Sequence, residues 1–138
     1  MLKGYIEDSS MKCLNAESLR KVRSAILAYR LSPGTLQTLR ETLKQFEGTH
    51  SFHNFTSNKS ANDANASRFI ISFTCGEPFL TESDSEGPKE WVLLSVVGQS
   101  FLLNQIRKMV CLATEVVRRA TIAGAVNEAF KKDKVIFD

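Results

Sequence analysis

The stretch WVLLSVVGQSFLLNQIRKMV, residues 91–110, decides the fold of this 138-residue chain. Its opening run, WVLLSVV, is apolar on both faces, which predicts a central and well-covered β-strand. Gly98 follows at a bend, and Ser100 is predicted to cap a helix. Apolar residues at spacings of three and four then line one face of that helix: Leu102, Ile106, Met109, Ala113 and Val116. The stretch therefore predicts a strand followed by a long amphipathic helix.

Two further helices are predicted upstream of this stretch. The first starts near Asn15, and its apolar stripe consists of Leu19, Val22, Ile26 and Tyr29. The second starts after the break at Ser32 and Pro33, because proline is tolerated in a first helical turn. Gly48 is predicted to end it with a left-handed cap. Its apolar stripe consists of Leu36, Leu39, Leu43 and Phe46.

The remaining segments predict an α+β fold. Alternating residues over SRFIISF, residues 67–73, indicate a strand, whereas the Gly-, Pro- and acid-rich residues 76–90 indicate an exposed loop. Residues 122–132 predict a shorter helix, and residues 135–137 the beginning of a strand. The strands are expected to form an antiparallel sheet with helices packed on one face. Since two firm strands make a poor sheet alone, strands are missing and the chain is predicted to be a fragment.

The bulk composition is that of an ordinary globular domain, with 43% apolar and 24% charged residues. No apolar run is long enough to cross a bilayer, and MLKGYIEDSS at the N-terminus lacks the apolar core of a secretory signal. Cys13, Cys75 and Cys111 are odd in number and far apart, which favours a reducing, intracellular compartment. The net charge is +3, with two basic segments flanking an acidic one, a pattern that fits either a positive face or scattered surface charges.

Both histidines of the chain lie in GTHSFHNFT, residues 48–56. No Cys, Asp or Glu stands close enough in sequence to complete a metal site with them, so no metal is predicted. Phe52 and Phe55 fit core positions after the preceding helix. His50 and His53 are left with two roles, a local hydrogen bond or a contact with a ligand.

Arg107 and Lys108 lie in the predicted long helix among apolar neighbours. In one interpretation both side chains extend to solvent as part of an ordinary polar face. In the other, one of them binds a carboxylate or phosphate where the strand meets the helix. The spacing alone favours the first interpretation. Glu47 fits a last-turn helix residue better than a general base, and the chain contains no triad, phosphate-binding glycine loop or dinucleotide motif.

This chain resembles the TruA-like pseudouridine synthases, because it carries two of their motifs in the same order. The residues within the motifs look most like those of the eukaryotic pseudouridine synthase 1 branch. The resemblance covers roughly residues 29–117. It rests on the segment GTHSFHNFT, on an arginine (Arg68) that opens the next strand, and on GQSFLLNQIRKMV after an apolar strand. The matching motif residues are Gly48, Ser51, Phe52, Phe55, Gly98, Phe101, Ile106, Arg107, Met109 and Val110.

The resemblance implies an isomerase that converts uridine to pseudouridine in structured RNA, mainly tRNA, without metal or organic cofactor. It implies that Arg107 pairs with a catalytic Asp. That Asp belongs to an Arg-Thr-Asp-like motif preceding the matched region, so the chain is expected to be half of a catalytic domain and inactive alone. Residues 29–138 are assigned to that domain, and residues 1–28 to a poorly defined N-terminal segment with a helix.

RNA, either tRNA or small nuclear RNA, is the expected partner, and the nucleus or mitochondrion the expected location. A non-catalytic RNA-binding paralogue and a structural interaction domain remain the alternatives. The sequence determines neither the target uridine nor the oligomeric state. Beside the catalytic Arg107, the expected substrate-binding residues are Lys59, Arg68, Lys108, Arg118 and Arg119, which neutralise phosphates, together with His53 and Phe101. Buried support for the active-site cleft is an equal alternative for Arg68, and an ordinary surface position is an equal alternative for each basic residue.

Overall fold

A computed structural model describes residues 15–82 and 87–133 of the chain. They fall into two compact units, one holding the described residues up to Leu31 and of Pro78–Trp91, the other Ser32–Glu77 and the described residues from Val92 onward. The strand predicted over residues 135–137 lies outside the described residues. In chain order the elements are α1 (Ala16–Ala28), α2 (Pro33–Lys44), β1 (Gly48–Ser51), β2 (Ser67–Cys75), β3 (Phe79–Leu80), β4 (Glu90–Trp91), β5 (Leu94–Gly98), α3 (Gln105–Val117) and α4 (Ala125–Ala129).

The first unit consists of α1 and a short two-stranded ribbon. The Asn15 side chain caps α1 by accepting a hydrogen bond from the Ser18 N–H at 2.8 Å, as its position before the helix predicts. β3 and β4 pair antiparallel. The helix is confirmed, but none of its residues is buried. All four residues of its predicted stripe are more than half exposed: Leu19, Val22, Ile26 and Tyr29.

The second unit is an antiparallel three-stranded sheet in the order β1-β2-β5, with helices on one face. α2 packs against β2, and α3 packs against α2 and α4. Ser32 caps α2 by accepting a hydrogen bond from the Thr35 N–H at 3.2 Å, with Pro33 in the first turn. The predicted α+β class and antiparallel sheet are confirmed.

A bulge in β2 changes which residues face the helices. The pairing with β5 shifts between Ile70 and Ser72. As a result Ile70 and Phe73 are buried on the helix side, while Phe69 and Ile71 are exposed. Simple alternation would have placed Phe69, Ile71 and Phe73 on one face, and the extra residue of the bulge breaks that alternation.

The prediction of a central, well-covered strand after residue 90 is wrong within the described residues. The run divides into β4 and β5, and β5 lies at an edge of its sheet. Leu93 is 66% exposed and Val97 is 49% exposed. An apolar run shows that both faces of a strand are suited to burial, but it does not say which neighbours cover them.

An aromatic cluster forms the centre of the core in the second unit. Phe46, Phe52 and Phe55 are fully buried, as predicted for the last residue of the second helix's stripe and for the two phenylalanines after that helix. The rings of Phe46 and Phe55 meet edge to face with centroids 5.5 Å apart, and Phe130 joins Phe52 at 5.2 Å. This cluster ties the segment between β1 and β2 to the residue that follows α4.

Candidate functional site

The GTHSFHNFT segment and the beginning of α3 lie side by side in the second unit. The hydroxyl Oγ1 of Thr56 donates a hydrogen bond to the Leu103 carbonyl at 2.9 Å. The Lys108 Nζ lies 3.5 Å from the Thr56 carbonyl oxygen, at the outer limit of a hydrogen bond. The two motifs, which are separate in the sequence, are therefore in contact in the folded chain.

The start of α3 is an unusual turn. Asn104 adopts left-handed backbone angles, φ 61° and ψ 7°, and makes no side-chain capping bond. The buried side chain of Gln105 accepts a hydrogen bond from the Leu102 N–H at 2.8 Å, and the Gln105 N–H donates to the Leu102 carbonyl at 3.1 Å. The helix therefore starts at Gln105, and the prediction that Ser100 caps it is wrong. The side chain of Gln105 closes the turn that a serine was expected to close.

Arg107 is the third residue of α3, and its side chain is exposed. It makes no hydrogen bond or ion pair with any residue in the described part of the chain. A guanidinium in the first turn of a helix, with no partner among the described residues, is available to bind a further carboxylate or phosphate. Its five N–H donors favour planar oxyanions.

The neighbours of Arg107 in the motif have structural contacts. Lys108 is half-buried, and its ammonium points toward Thr56. Phe101 is half-buried, and its ring carbon Cζ lies only 3.1 Å from the place where a Cβ on Gly98 would stand. The motif glycine thus gives Phe101 room to lie across the end of β5.

Both histidines have partners inside the unit. His50 stacks on Phe130 with ring centroids 4.0 Å apart, and its Nε2 lies 2.7 Å from the Glu47 carbonyl. His53 is buried, with Nδ1 3.1 Å from Ser51 Oγ and Nε2 3.1 Å from the Asn54 amide nitrogen. Because the Asn54 amide also donates to the Ala129 carbonyl at 2.9 Å, the His53 Nε2 acts as acceptor and Nδ1 carries the proton. Of the two roles left open for the histidines, the structure describes the local hydrogen bond.

Arg68 pairs with His50 in the β1–β2 ladder and is half-buried. Its Nη1 donates to the carbonyl oxygens of Asn65 and Ser67, each at 2.7 Å. Its Nε is buried without a partner in the described residues. The guanidinium therefore bridges the short 3-10 helix Ala64–Ala66 and the first residue of β2.

The other predicted phosphate contacts are dispersed. Lys59 pairs with Asp63 at 3.5 Å, and Arg118 pairs with Glu115 at 3.4 Å. Arg119 follows α3 with a left-handed φ of 59° and is exposed. At 1.5 Å per helical residue, Arg118 lies about 16 Å along the α3 axis from Arg107. The structure brings Lys108, the residue after Arg107, to Thr56, but it places Arg118 and Arg119 at the other end of α3.

Sequence reasoning missed Thr56 and Gln105. Neither residue carries a charge, and each acts through one hydrogen bond to a backbone group. A buried glutamine at the first position of an apolar-faced helix is a weak signal, since buried polar side chains need partners. No comparable signal marks Thr56, because its contact joins positions 47 residues apart in sequence.

The titrating groups with clear shifts lie outside these motifs. Burial raises the pKa of the Cys75 thiol at the end of β2, and the Arg40 charge counteracts part of that rise. The side-chain hydrogen bond with Glu128 raises the pKa of the exposed Lys131. Among residues 15–82 and 87–133, no cluster of three or more His, Cys, Asp or Glu side chains is arranged to hold a metal ion. Over the same residues, no helix has the length and hydrophobicity required to traverse a membrane.

Comparison with known proteins gives evidence that is independent of this geometry. The family model described as tRNA pseudouridine synthase matches residues 42–135. The chain is 44% identical over 108 residues to "tRNA pseudouridine synthase 1" of Candida albicans, covering 78% of this chain and 17% of that protein. The chain is 40% identical over 131 residues to the protein of the same name in Kluyveromyces lactis, and the match covers 95% of this chain and 22% of that protein. The chain is 40% identical over 107 residues to the human "Pseudouridylate synthase 1 homolog", and the match covers 78% of this chain and 24% of that protein. The chain spans about a fifth of the length of these relatives.

Proposed function

Because this chain belongs to the tRNA pseudouridine synthase family, we propose that it is the C-terminal part of a catalytic domain that isomerises uridine to pseudouridine in tRNA. The observation that supports this most directly is the state of Arg107. It is an exposed cation in the first turn of α3, without a partner in the described residues, within a motif of the family. In this proposal residues 29–138 belong to the catalytic domain, and the catalytic Asp lies in a segment that precedes this chain.

The reaction requires that the N1–C1′ bond of uridine breaks and that a C5–C1′ bond forms. The proton on C5 leaves to solvent, and N1 gains a proton, so atoms and electrons balance without an oxidant or cofactor. The Asp carboxylate assists the detachment and return of the base. Arg107 holds that carboxylate ionised and oriented through paired charge-assisted hydrogen bonds. A lysine supplies the charge but not the planar fork.

The target base must leave its stack to reach such a site. We assign phosphate contacts to Lys59, Arg68, Lys108, Arg118 and Arg119, and contacts with the displaced nucleotide to His53 and Phe101. The exposure of Arg118 and Arg119 supports phosphate contact. Loss of one phosphate contact should weaken binding for all RNA sequences. It should also lower the slope of log affinity against log salt concentration by about one.

Release of tritium from RNA that carries 5-tritiated uridine tests the function. The full-length protein is incubated with transcribed tRNA, and released tritium is counted against time. Release that saturates at a fixed number of uridines per tRNA supports the proposal. No release from tRNA or from small nuclear RNA, with the protein folded by circular dichroism, contradicts it.

Binding of RNA without tritium release would identify the alternative function, a paralogue that retains the RNA cleft and lacks catalysis. Failure to bind RNA at any salt concentration would indicate a structural interaction domain. The nucleus and mitochondrion are the compartments that we propose for the full-length protein, and localisation of a tagged copy tests both.

A further inference from the structure

Nothing in the described residues fixes the Arg107 side chain directly, since it has no partner there. Its direction is therefore set by the backbone of the first turn of α3. Successive residues of an α-helix point about 100° apart, so a distortion of the first turn changes the direction of the side chains that the turn carries. The contacts that hold this first turn, together with the packing of α3 on α2 and α4, therefore affect where the guanidinium of Arg107 points.

Of the side chains at the start of α3, that of Gln105 holds the turn, whereas those of Leu103 and Asn104 contribute little. Leu103 is 74% exposed and contributes little packing. Asn104 holds a left-handed conformation, which asparagine adopts more readily than most residues other than glycine, and its side chain makes no capping bond. The Gln105 side chain closes the turn at Leu102, but it leaves the Leu103 carbonyl without a bond from within the turn.

Thr56 supplies that bond from outside the turn. Its hydroxyl donates to the Leu103 carbonyl at 2.9 Å, directly before the left-handed residue. Thr56 is only 8% exposed and follows the fully buried Phe55, so its position is fixed by the core. The Thr56 carbonyl also lies beside the Lys108 ammonium, one residue beyond Arg107. Thr56 therefore contacts one residue before Arg107 in the sequence, Leu103, and one after it, Lys108.

We infer that Thr56 is a positioning residue for Arg107. Its hydroxyl holds the peptide between Leu103 and Asn104, and thereby the register and direction of the first turn of α3. The inference rests on the proposed function, because Arg107 needs a defined direction only if it orients a catalytic carboxylate. Small misplacements of catalytic groups are costly, about 100-fold in rate for an error of about 1 Å.

The test uses Thr56→Val in the full-length protein, which removes the hydroxyl and retains the shape. Thr56→Ser keeps the hydroxyl. Thr114→Val is a matched control, since the Thr114 hydroxyl also donates to a backbone carbonyl of α3, that of Val110 at 2.8 Å. Single-turnover rate constants at saturating tRNA, tRNA dissociation constants and melting temperatures are measured for all three variants.

Thr56→Val is expected to lower the rate constant about tenfold and to leave the dissociation constant within about twofold. The rate constant of Thr56→Ser should lie within about threefold of that of the unaltered protein, and the rate constant of Thr114→Val should equal that of the unaltered protein. In the Arg107→Lys background, Thr56→Val should lower the rate constant by less than about threefold, because the side chain that Thr56 positions is already altered. A purely structural role would give the same tenfold loss in both backgrounds.

Several outcomes overturn the inference. They are equal rates for Thr56→Val and the unaltered protein, equal losses for Thr56→Val and Thr114→Val, or a loss that Thr56→Ser does not recover. Full additivity with Arg107→Lys also overturns it. If Thr56→Val leaves turnover unchanged, only the positioning role is contradicted. If the unaltered protein shows no turnover, the proposed function is contradicted, and the positioning role with it.

Discussion

The chemistry proposed for Arg107 depends on the shape of its side chain as well as on its charge. Arg107→Lys is expected to lower kcat about 100-fold or more, because an ammonium cannot form the paired bonds that orient a carboxylate. The dissociation constant for tRNA should change little. The melting temperature should also be unchanged, since the side chain is exposed and has no partner in the described residues.

Steady-state tritium release and filter binding measure the two effects of Arg107→Lys. Arg20→Lys, an exposed position in α1, is the matched control and should leave both quantities unchanged. Full activity of the Arg107→Lys variant would remove Arg107 from the catalytic site.

Glu47 shows how a carboxylate close to the motif can be structural. Its Oε1 accepts a hydrogen bond from the Phe73 N–H at 2.9 Å, beside the bulge of β2. Glu47→Ala should lower the free energy of unfolding by about 1–3 kcal/mol, because a buried N–H loses its acceptor. Glu47→Gln keeps an acceptor oxygen and should cost less than half as much. Urea unfolding of the 138-residue chain compares the two variants, and equal losses would show that the negative charge, rather than the acceptor, matters.

At the scale of elements, Gly98 joins β5 to the motif that carries Arg107. A Cβ at this position would stand 3.1 Å from the Phe69 carbonyl and 3.3 Å from the Ile70 side chain. Gly98→Ala should destabilise the chain by about 1–3 kcal/mol, because backbone and core atoms would have to move. Gly34→Ala in α2 is the control, since a Cβ there meets nothing within 4 Å and alanine favours the helix. Thermal unfolding measures both, and equal stability of the two variants would contradict the close approach.

Periodicity was sufficient to predict the helices and β2, because each pattern reports on a single element. The stripe of α2 is an example, with Leu36 and Leu43 buried as predicted. The failures occur where a second element decides the outcome. The bulge that exposes Ile71 depends on pairing with β5, and the start of α3 depends on Gln105 and Thr56. The role of Arg107 could be proposed only from the family motif, because an exposed arginine on a helix is common.

At the scale of the whole molecule, the described carboxylates are all too far from Arg107 to form an ion pair with it. Asp63, for example, accepts a hydrogen bond from the Asn65 N–H at 2.9 Å and pairs with Lys59. A guanidinium without its carboxylate cannot detach and return a base, since the step needs an ionised acid beside the ribose. The proposal therefore takes the acid from outside the described residues, in the segment that precedes the matched motifs in the full-length protein.

The 138-residue chain alone is accordingly expected to release no tritium from tRNA, while circular dichroism shows helix and strand. The full-length protein assayed in parallel is the positive control. Turnover by the isolated chain would mean that one of its own carboxylates acts as the nucleophile. Alanine substitution of Asp8, Asp84 and Asp138, which lie outside the described residues, and of the exposed Asp133 would then test the aspartates, because the remaining one, Asp63, is already bound to Lys59.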